Sequence, residues 1–584
     1  MVNTPEVKMI RITFATVFGF TAVLCYPLTK YGDSEYLTTF CRVFPACLLI
    51  WIIYGFLLYP NLFSPLRHLP TVDGSSWWSI QSLRLYREPR GVPHSEWVDK
   101  IPHEQYGLVR YRSLFNTERV IVATPEALAE VLTTKSYQFK KPQAFVTGLE
   151  PITGMGLLLT EGDQHKAQRK ALLPAFSFRH IKQLYSVMWK ISSHAVNTLA
   201  CEVAADASKA PQQPFTVNIS DRATQITLDT ICVAGLGQQL ESVLSQDAKY
   251  VALREAYNII LDQRRQSRFY SLLRVWVLPS WLISYVPLKR NKELAEASQT
   301  LHTICKELIR QKKEELESEL VDKTEKNILT VALASNNFTE EELVNQLLTF
   351  LAAGFETTAI ALTWAIYTLS VNTDMQTRLR DEVRAHLPSP SSAPSSSPLA
   401  DGHEDLSTLI DNHMPYLDAI CQEVLRYYSP LMLTFREAAV DTTIQGTRIP
   451  AGTQIDICPR ATNRDKSLWG DDAKVFNPDR YLSQPKQAYI DPLDDNSPAM
   501  NSSKAAGTRS NYAMLTFLHG PRSCIGQSFS RAELAIVLAS LVGRFEFRLA
   551  DESLRDETKI KKRRGAINRP IDGIQVKVTL VEGW

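Results

Sequence analysis

The feature that most constrains this chain is a decapeptide, Phe517-Leu518-His519-Gly520-Pro521-Arg522-Ser523-Cys524-Ile525-Gly526, which leads into a helical pattern over Ser528–Leu541. Gly520 and Pro521 force a turn, and Gly526 permits close backbone approach by something flat, or a special dihedral. Cys524 stands just ahead of the helix, where the positive helix end and backbone N–H groups favour a thiolate. The ordinary fate of a free cysteine is a small buried hydrophobe. This context argues for more. A thiolate beside a cationic arginine and an aromatic ring is a good axial ligand for haem iron, and its electron donation helps break an O–O bond.

With Phe517, Gly520, Arg522, Cys524 and Gly526 in register, the segment F-x-x-G-x-R-x-C-x-G resembles the haem-binding signature of the cytochrome P-450 family, the haem-thiolate monooxygenases. The resemblance implies haem b as cofactor, with Cys524 as axial ligand of its iron. Arg522 would pair with a haem propionate, Phe517 would pack beside the sulfur, and Gly526 would lie against the cofactor.

A second motif stands in an apolar helical pattern. Thr339-Glu340-Glu341-Glu342 reads as a capping box, and the helix it starts runs to about Asn372. Its middle holds Ala353-Gly354-Phe355-Glu356-Thr357-Thr358, poor helix formers with an acid that needs a partner or a task. A kink with a satisfied glutamate is the plain reading. The segment is similar to the family's A-G-x-[DE]-T-[TS] motif, which implies that Thr357 hydrogen-bonds iron-bound dioxygen and that Glu356 relays protons. A groove at Ala353-Gly354 would make room for oxygen and substrate.

Glu423 and Arg426, spaced i and i+3, read alone as a surface ion pair worth little. They match the family's E-x-x-R, whose third partner would be Arg480, and the resemblance makes this network structural. His165-Lys166-Ala167-Gln168-Arg169 occupies the place of the family's W-x-x-x-R, with His165 replacing the tryptophan. Arg169 and His165 would bond haem carboxylates, although a solvent-facing His165 is a fair alternative. Arg436 is a further candidate propionate partner.

The rest of the chain bounds the architecture. Its 584 residues are 45% apolar and 22% charged, an ordinary globular balance. A net charge of +2 gives no basic field for nucleic acid. Nine cysteines without a C-x-x-C pair fit reduced thiols rather than a disulfide scaffold or zinc ribbon. Long helices dominate from 160 to 385. Short strands are expected at Leu108–Tyr111, Val120–Ala123, Thr443–Arg448, Phe545–Leu549 and Gln575–Leu580, giving a mainly α, α+β body. Residues 65–584 read as one catalytic domain, with flexible insertions near 388–402 and 491–510.

Residues 1–64 read as a membrane anchor. Stretches 12–28 and 43–59 carry no charge and approach the length of a membrane span. Two spans would leave the N-terminus and the catalytic body on one side, and Lys8, Arg11 and Arg67 favour the cytosol. One span, or a cleaved signal peptide, is the alternative; the first run is long for a signal and lacks an obvious small-residue cleavage site. Pro65 and Pro70 suggest a stiff hinge to the body. The family resemblance adds an endoplasmic-reticulum location.

Pocket walls in this family's fold would come from Phe145–Leu158, helices over 215–270, Leu347–Ala353, Pro430–Phe435 and Ala566–Ile571. The apolar runs Leu347–Leu351 and Leu431–Phe435 suit a bulky apolar ligand, although each side chain could be plain core. The resemblance to fungal membrane-bound enzymes implies a terpenoid, meroterpenoid or polyketide of secondary metabolism, oxidised by O2. Electrons would come from NADPH through a membrane flavoprotein reductase, with a cytochrome b-type donor as an additional source. Lys166 and Lys170 would add positive charge on the docking side, or simply form a solvated helix face. Two other readings are a reductase-independent haem-thiolate isomerase, against which Glu356-Thr357 argues, and a non-catalytic haem sensor or carrier.

Overall fold

The computed structural model describes residues 14–30, 36–74, 80–113, 116–209, 214–238, 247–261, 289–317, 327–390, 406–482, 508, 510–563 and 565–584. Most of the insertions expected near 388–402 and 491–510, together with Lys8, Arg11 and part of the 215–270 region, lies outside the described residues.

Among the described residues, ten strands form three small sheets. The largest has the order β1-β2-β8-β5-β3: Leu108–Arg112, Glu118–Val122, Gln454–Ile457, Thr434–Ala438 and Phe139–Lys140. β2 and β8 run parallel and the other neighbours antiparallel. A second sheet joins β4 (Thr216–Asn218), β10 (Gln575–Leu580) and β9 (Phe545–Leu549). The expected strand Thr443–Arg448 is instead a hairpin of β6 (Thr442–Ile444) and β7 (Thr447–Ile449). Gln445 and Gly446 both have positive φ, as a tight two-residue hairpin turn requires, and they divide the run.

The central helix, Glu340–Val371, begins with the expected capping box: Glu342 N–H donates to Thr339 Oγ1, and the Glu342 carboxylate accepts from Thr339 N–H at 2.9 Å. It is apolar and long enough to cross a membrane, yet most of it is buried inside the protein. Its neighbours in the main core include Gln527–Arg544, which follows the cysteine loop, and Ile219–Thr230. Gly354 packs closely on the latter side: a Cβ there would lie 3.0 Å from Ile231. Gly354 therefore serves helix contact, and the expected groove is confined to the Ala353 side.

The apolar N-terminal stretches form helices Phe14–Lys30 and Tyr36–Ile53, the second continuing as a wider π-helix over Tyr54–Phe63. The second helix begins ahead of the uncharged 43–59 stretch and includes Arg42 as well as Pro45. The following proline segment is not a free hinge. Leu66 and Leu69 are buried among residues of β1, β2 and β8, and Arg110 N–H donates to the Pro70 carbonyl at 2.8 Å.

Candidate active site

The cysteine loop is held by its own backbone. Cys524 N–H donates to the Phe517 carbonyl at 2.8 Å, and Ser523 N–H to the Gly520 carbonyl at 2.9 Å. Gly520 has φ +77°, and a Cβ there would collide with the Leu132 carbonyl, so the turn admits glycine only. Cys524 ends up exposed, unlike five of the other cysteines. The protein mass around it nevertheless pushes its thiol pKa up, against the pull of the Gly526 N–H and Arg169. The helix-end effect expected from sequence is therefore outweighed by burial, and the thiolate needs a cationic partner such as a metal. Gly526 is open on its Cβ side, with Phe176 the nearest group at 3.9 Å. Phe517 is half-buried, and its ring takes Arg531 over its face at 5.7 Å.

The helix that follows the cysteine loop packs against the central helix. Ala353 is the one exposed residue between Leu343 and Val371, and Thr357 lies one turn further on, partly exposed. Thr357 Oγ1 donates to the Ala353 carbonyl at 2.8 Å, diverting that acceptor from the helix ladder. Thr358 Oγ1 and Ser530 Oγ lie 3.0 Å apart and tie this helix to the one after Cys524. Glu356 faces elsewhere. Its Oε1 accepts from Arg563 Nη1 at 3.1 Å and Arg569 Nη1 at 3.3 Å, both on the C-terminal loop. Its plain reading as a satisfied glutamate thus holds here, and a proton role requires that pairing to open. Glu533, which the sequence reading passed over, is fully buried near Thr358 and Thr230, and burial pushes its carboxyl well up.

Four segments converge on one edge of the loop. Arg169 donates to the Ser523 carbonyl at 2.7 Å and to Ser523 Oγ at 3.2 Å. Arg522 donates to the Phe139 carbonyl at 3.0 Å, pairs with Glu161, and stacks over Tyr137 at 4.9 Å. Arg436 is buried, donates to the Phe435 carbonyl at 2.8 Å, and burial pulls its pKa down to about 10. Lys141, missed in the sequence, pairs with Glu161 at 3.4 Å; burial pulls it down to about 8. His165 is buried 3.4 Å from the Tyr137 hydroxyl, not solvent-facing. Burial, and then Lys141, Arg522, Arg169 and Arg436, drive its pKa down to about 3, so it is neutral. Four cations thus surround His165, and among the described residues Glu161 is the carboxylate paired with them, through Lys141 and Arg522. That imbalance, beside an exposed cysteine, fits a flat macrocycle carrying two carboxylates.

Behind the loop lies a balanced network. Glu423 and Arg426 are completely buried and form two parallel bonds of 2.7 Å. Arg480 Nε reaches Glu423 at 3.3 Å and pairs with Asp472 at 2.9 Å. Arg426 also donates to the Asn463 and Ala473 carbonyls, each at 2.7 Å. Asn463 Oδ1 in turn accepts Leu515 N–H at 2.7 Å, which carries the network to the base of the cysteine loop. Asp472 was not singled out from sequence. Of the expected pocket walls, Pro430–Phe435 and Ala566–Ile571 meet: Met432 N–H donates to the Ala566 carbonyl at 2.8 Å. Phe145 packs edge-on to Phe435 at 6.4 Å. Leu347, Leu348 and Leu351 are buried, Leu347 beside a small internal cavity shared with Leu343 and Phe350. Lys166 pairs with Asp163 at 2.8 Å and covers Tyr137; Lys170 is exposed.

A cysteine that would ligate a haem iron, beside a cation-rich edge that would hold its carboxylates, is the chemistry of haem-thiolate oxygenases. Comparison with known proteins agrees. The Cytochrome P450 family model matches residues 73–578. Cytochrome P450 monooxygenase ALT8 of Alternaria alternata is 44% identical, covering 97% of this chain and 99% of its own length. Cytochrome P450 monooxygenase FUM15 of Gibberella moniliformis is also 44% identical, covering 92% of each chain. Cytochrome P450 monooxygenase sphH of Aspergillus fumigatus is 36% identical over 95% of each. The chain belongs to the cytochrome P450 family. It has that family's mainly helical fold and is a monooxygenase, an oxidoreductase with haem iron that uses O2 and electrons from a reductase.

Proposed function

We propose that this chain oxidises a bulky apolar small molecule of fungal secondary metabolism, of the terpenoid, meroterpenoid or polyketide kind. The apolar Leu431–Phe435 strand entry and the Ala566–Ile571 loop, joined by the Met432 hydrogen bond, support such a ligand. Residues 1–64 are a membrane anchor in this reading, supported by two apolar helices whose side chains are largely exposed. The domain from 65 onward faces the cytosol at the endoplasmic reticulum and takes electrons from an NADPH-dependent flavoprotein reductase.

The observation that carries the reading is the pairing of an exposed Cys524 with a cation-rich, carboxylate-poor edge. Haem supplies O2 activation at its iron when bound. Cys524 Sγ is the protein ligand to that iron. Arg169, Arg436, Arg522 and neutral His165 hold the propionates by charge and hydrogen bonds. Thr357 Oγ1, now donating to the Ala353 carbonyl, turns its proton toward the open side. Glu356 passes a proton once Arg563 or Arg569 lets go of Oε1. Glu423, Arg426 and Arg480 brace the loop and take no part in proton movement.

The test is the carbon monoxide difference spectrum of dithionite-reduced membranes, beside Cys524→Ala. A strongly red-shifted Soret band that the variant loses is the expected result. A haem-loaded parent with an unshifted band rejects thiolate ligation. NADPH consumption with added reductase then separates the monooxygenase from a reductase-independent isomerase, which consumes none.

A further inference from the structure

The catalytic domain reaches back to its own N-terminal helix. The π-helical segment Tyr54–Phe63 ends with Ser64 N–H on the Tyr59 carbonyl, and the next acceptor in that i to i+5 ladder, the Pro60 carbonyl, meets Pro65, which has no N–H to give. Asn116, at the start of β2, donates Nδ2 to the Phe56 carbonyl. Arg110 of β1 donates Nη2 to the Pro60 carbonyl at 2.6 Å, and Arg112 to Asn61 Oδ1 at 2.7 Å. Arg110 and Asn116 are both 3% exposed, and Glu118 balances the Arg110 charge. Carbonyls at a helix C-terminus lack donors within the helix, and cations complement that end of its dipole. The hairpin supplies both.

The other side of the same turn is apolar and open: Leu57, Leu58, Leu62 and Phe63 are exposed. Tyr54, Tyr59 and Phe63 cluster there with ring centroids 6.1 and 6.3 Å from Tyr54, the aromatic composition of a bilayer interface. In water, helix-end carbonyls hydrate freely. Next to lipid they need protein donors, above all at a proline.

We propose that the β1–β2 hairpin is a clamp that caps the last turn of the second apolar helix and so fixes the catalytic domain against the lipid surface. The inference rests on the anchor reading. The lipid partner covers the Leu57–Phe63 face, while Asn116, Arg110 and Arg112 set the depth and tilt of the domain.

The experiment uses the full haem-loaded chain in phosphatidylcholine nanodiscs, with amide hydrogen exchange read over 56–72 and 108–122. Asn116→Ala with Arg112→Ala raises exchange in both segments about tenfold, with an unchanged carbon monoxide spectrum as the fold control. Unchanged exchange in the double variant, with the chain retained in carbonate-washed membranes, overturns the clamp. A parent chain that carbonate strips from the membrane overturns the anchor reading itself, and the lipid partner with it.

Discussion

Two buried charge clusters flank the cysteine loop, and they are built on opposite principles. Behind the loop, Glu423 and Asp472 meet Arg426 and Arg480, so that charge is matched and the Arg426 guanidinium is spread over carboxylate and carbonyl oxygens. At the edge, Lys141 and Arg522 pair with Glu161, Arg436 feels the same carboxylate, and Arg169 adds a fourth cation bound to Ser523 rather than to a carboxylate. A balanced cluster is complete within the protein and holds it together. An unbalanced one carries a desolvation cost that an anionic ligand removes. The difference separates a structural site from a binding site without reference to any bound group.

The contrast breaks most visibly in the balanced cluster. Glu423→Gln leaves the wholly buried Arg426 without its counter-charge, and removing one partner of such a pair costs about 3–5 kcal/mol. Chain accumulation and the midpoint of thermal unfolding fall together, and little haem is taken up. Arg436→Met has the opposite signature. The apoprotein is at least as stable as the parent, because a repelled cation is gone, while haem affinity falls about tenfold or more through loss of a charge-assisted bond. Haem titration of the apoprotein followed at the Soret band, beside its unfolding midpoint, measures both. An Arg436→Met apoprotein destabilised like Glu423→Gln makes the edge cluster structural and erases the distinction.

Lys141 sharpens the comparison through pH. In the apoprotein its pKa is pulled down to about 8, from 10.5. The cost of its charge is therefore fully present below pH 8 and disappears as pH rises toward 10.5, so the apoprotein gains stability over that window. Bound carboxylates reverse the preference. Haem binding at pH 8–10 takes up a proton, and affinity weakens as pH rises. Proton uptake measured with an indicator dye on adding haem, absent in Lys141→Met, is the expected outcome; equal uptake in the variant assigns the proton elsewhere.

What was legible in the sequence was local. The turn at Gly520, the capping box at Thr339–Glu342 and the i, i+3 pair Glu423–Arg426 each depend on spacing within a few residues. Lys141 was invisible because its place is set by strand pairing: β3 aligns Lys140 with Glu437, which brings Lys141 beside Arg436 across almost three hundred residues. Arg563 and Arg569, the partners of Glu356, come from a C-terminal loop whose approach no periodicity reports. Thr443–Arg448 looked like one strand because Gln445 is not a usual turn residue. The Leu347–Leu351 run shows the converse: its leucines are buried, Leu347 beside a small cavity, and apolar composition alone does not distinguish a pocket wall from core.

The smallest effect belongs to His165, because at neutral pH its neutral form is the ordinary one. Burial and the surrounding cations drive its pKa from 6.5 down to about 3. An unfolded chain takes a proton there as pH falls below 6.5, whereas the folded apoprotein does not until about pH 3. Unfolding is therefore favoured as pH drops through this window. His165→Phe removes that slope, so parent and variant apoproteins respond alike at pH 7 and diverge by pH 5, the parent losing more of its midpoint. With haem bound, the cations are answered by carboxylates and the difference between parent and variant narrows. A gap at pH 5 that haem leaves unchanged separates His165 from the cation-rich edge and places its strain in the helix Gly162–Leu172 alone.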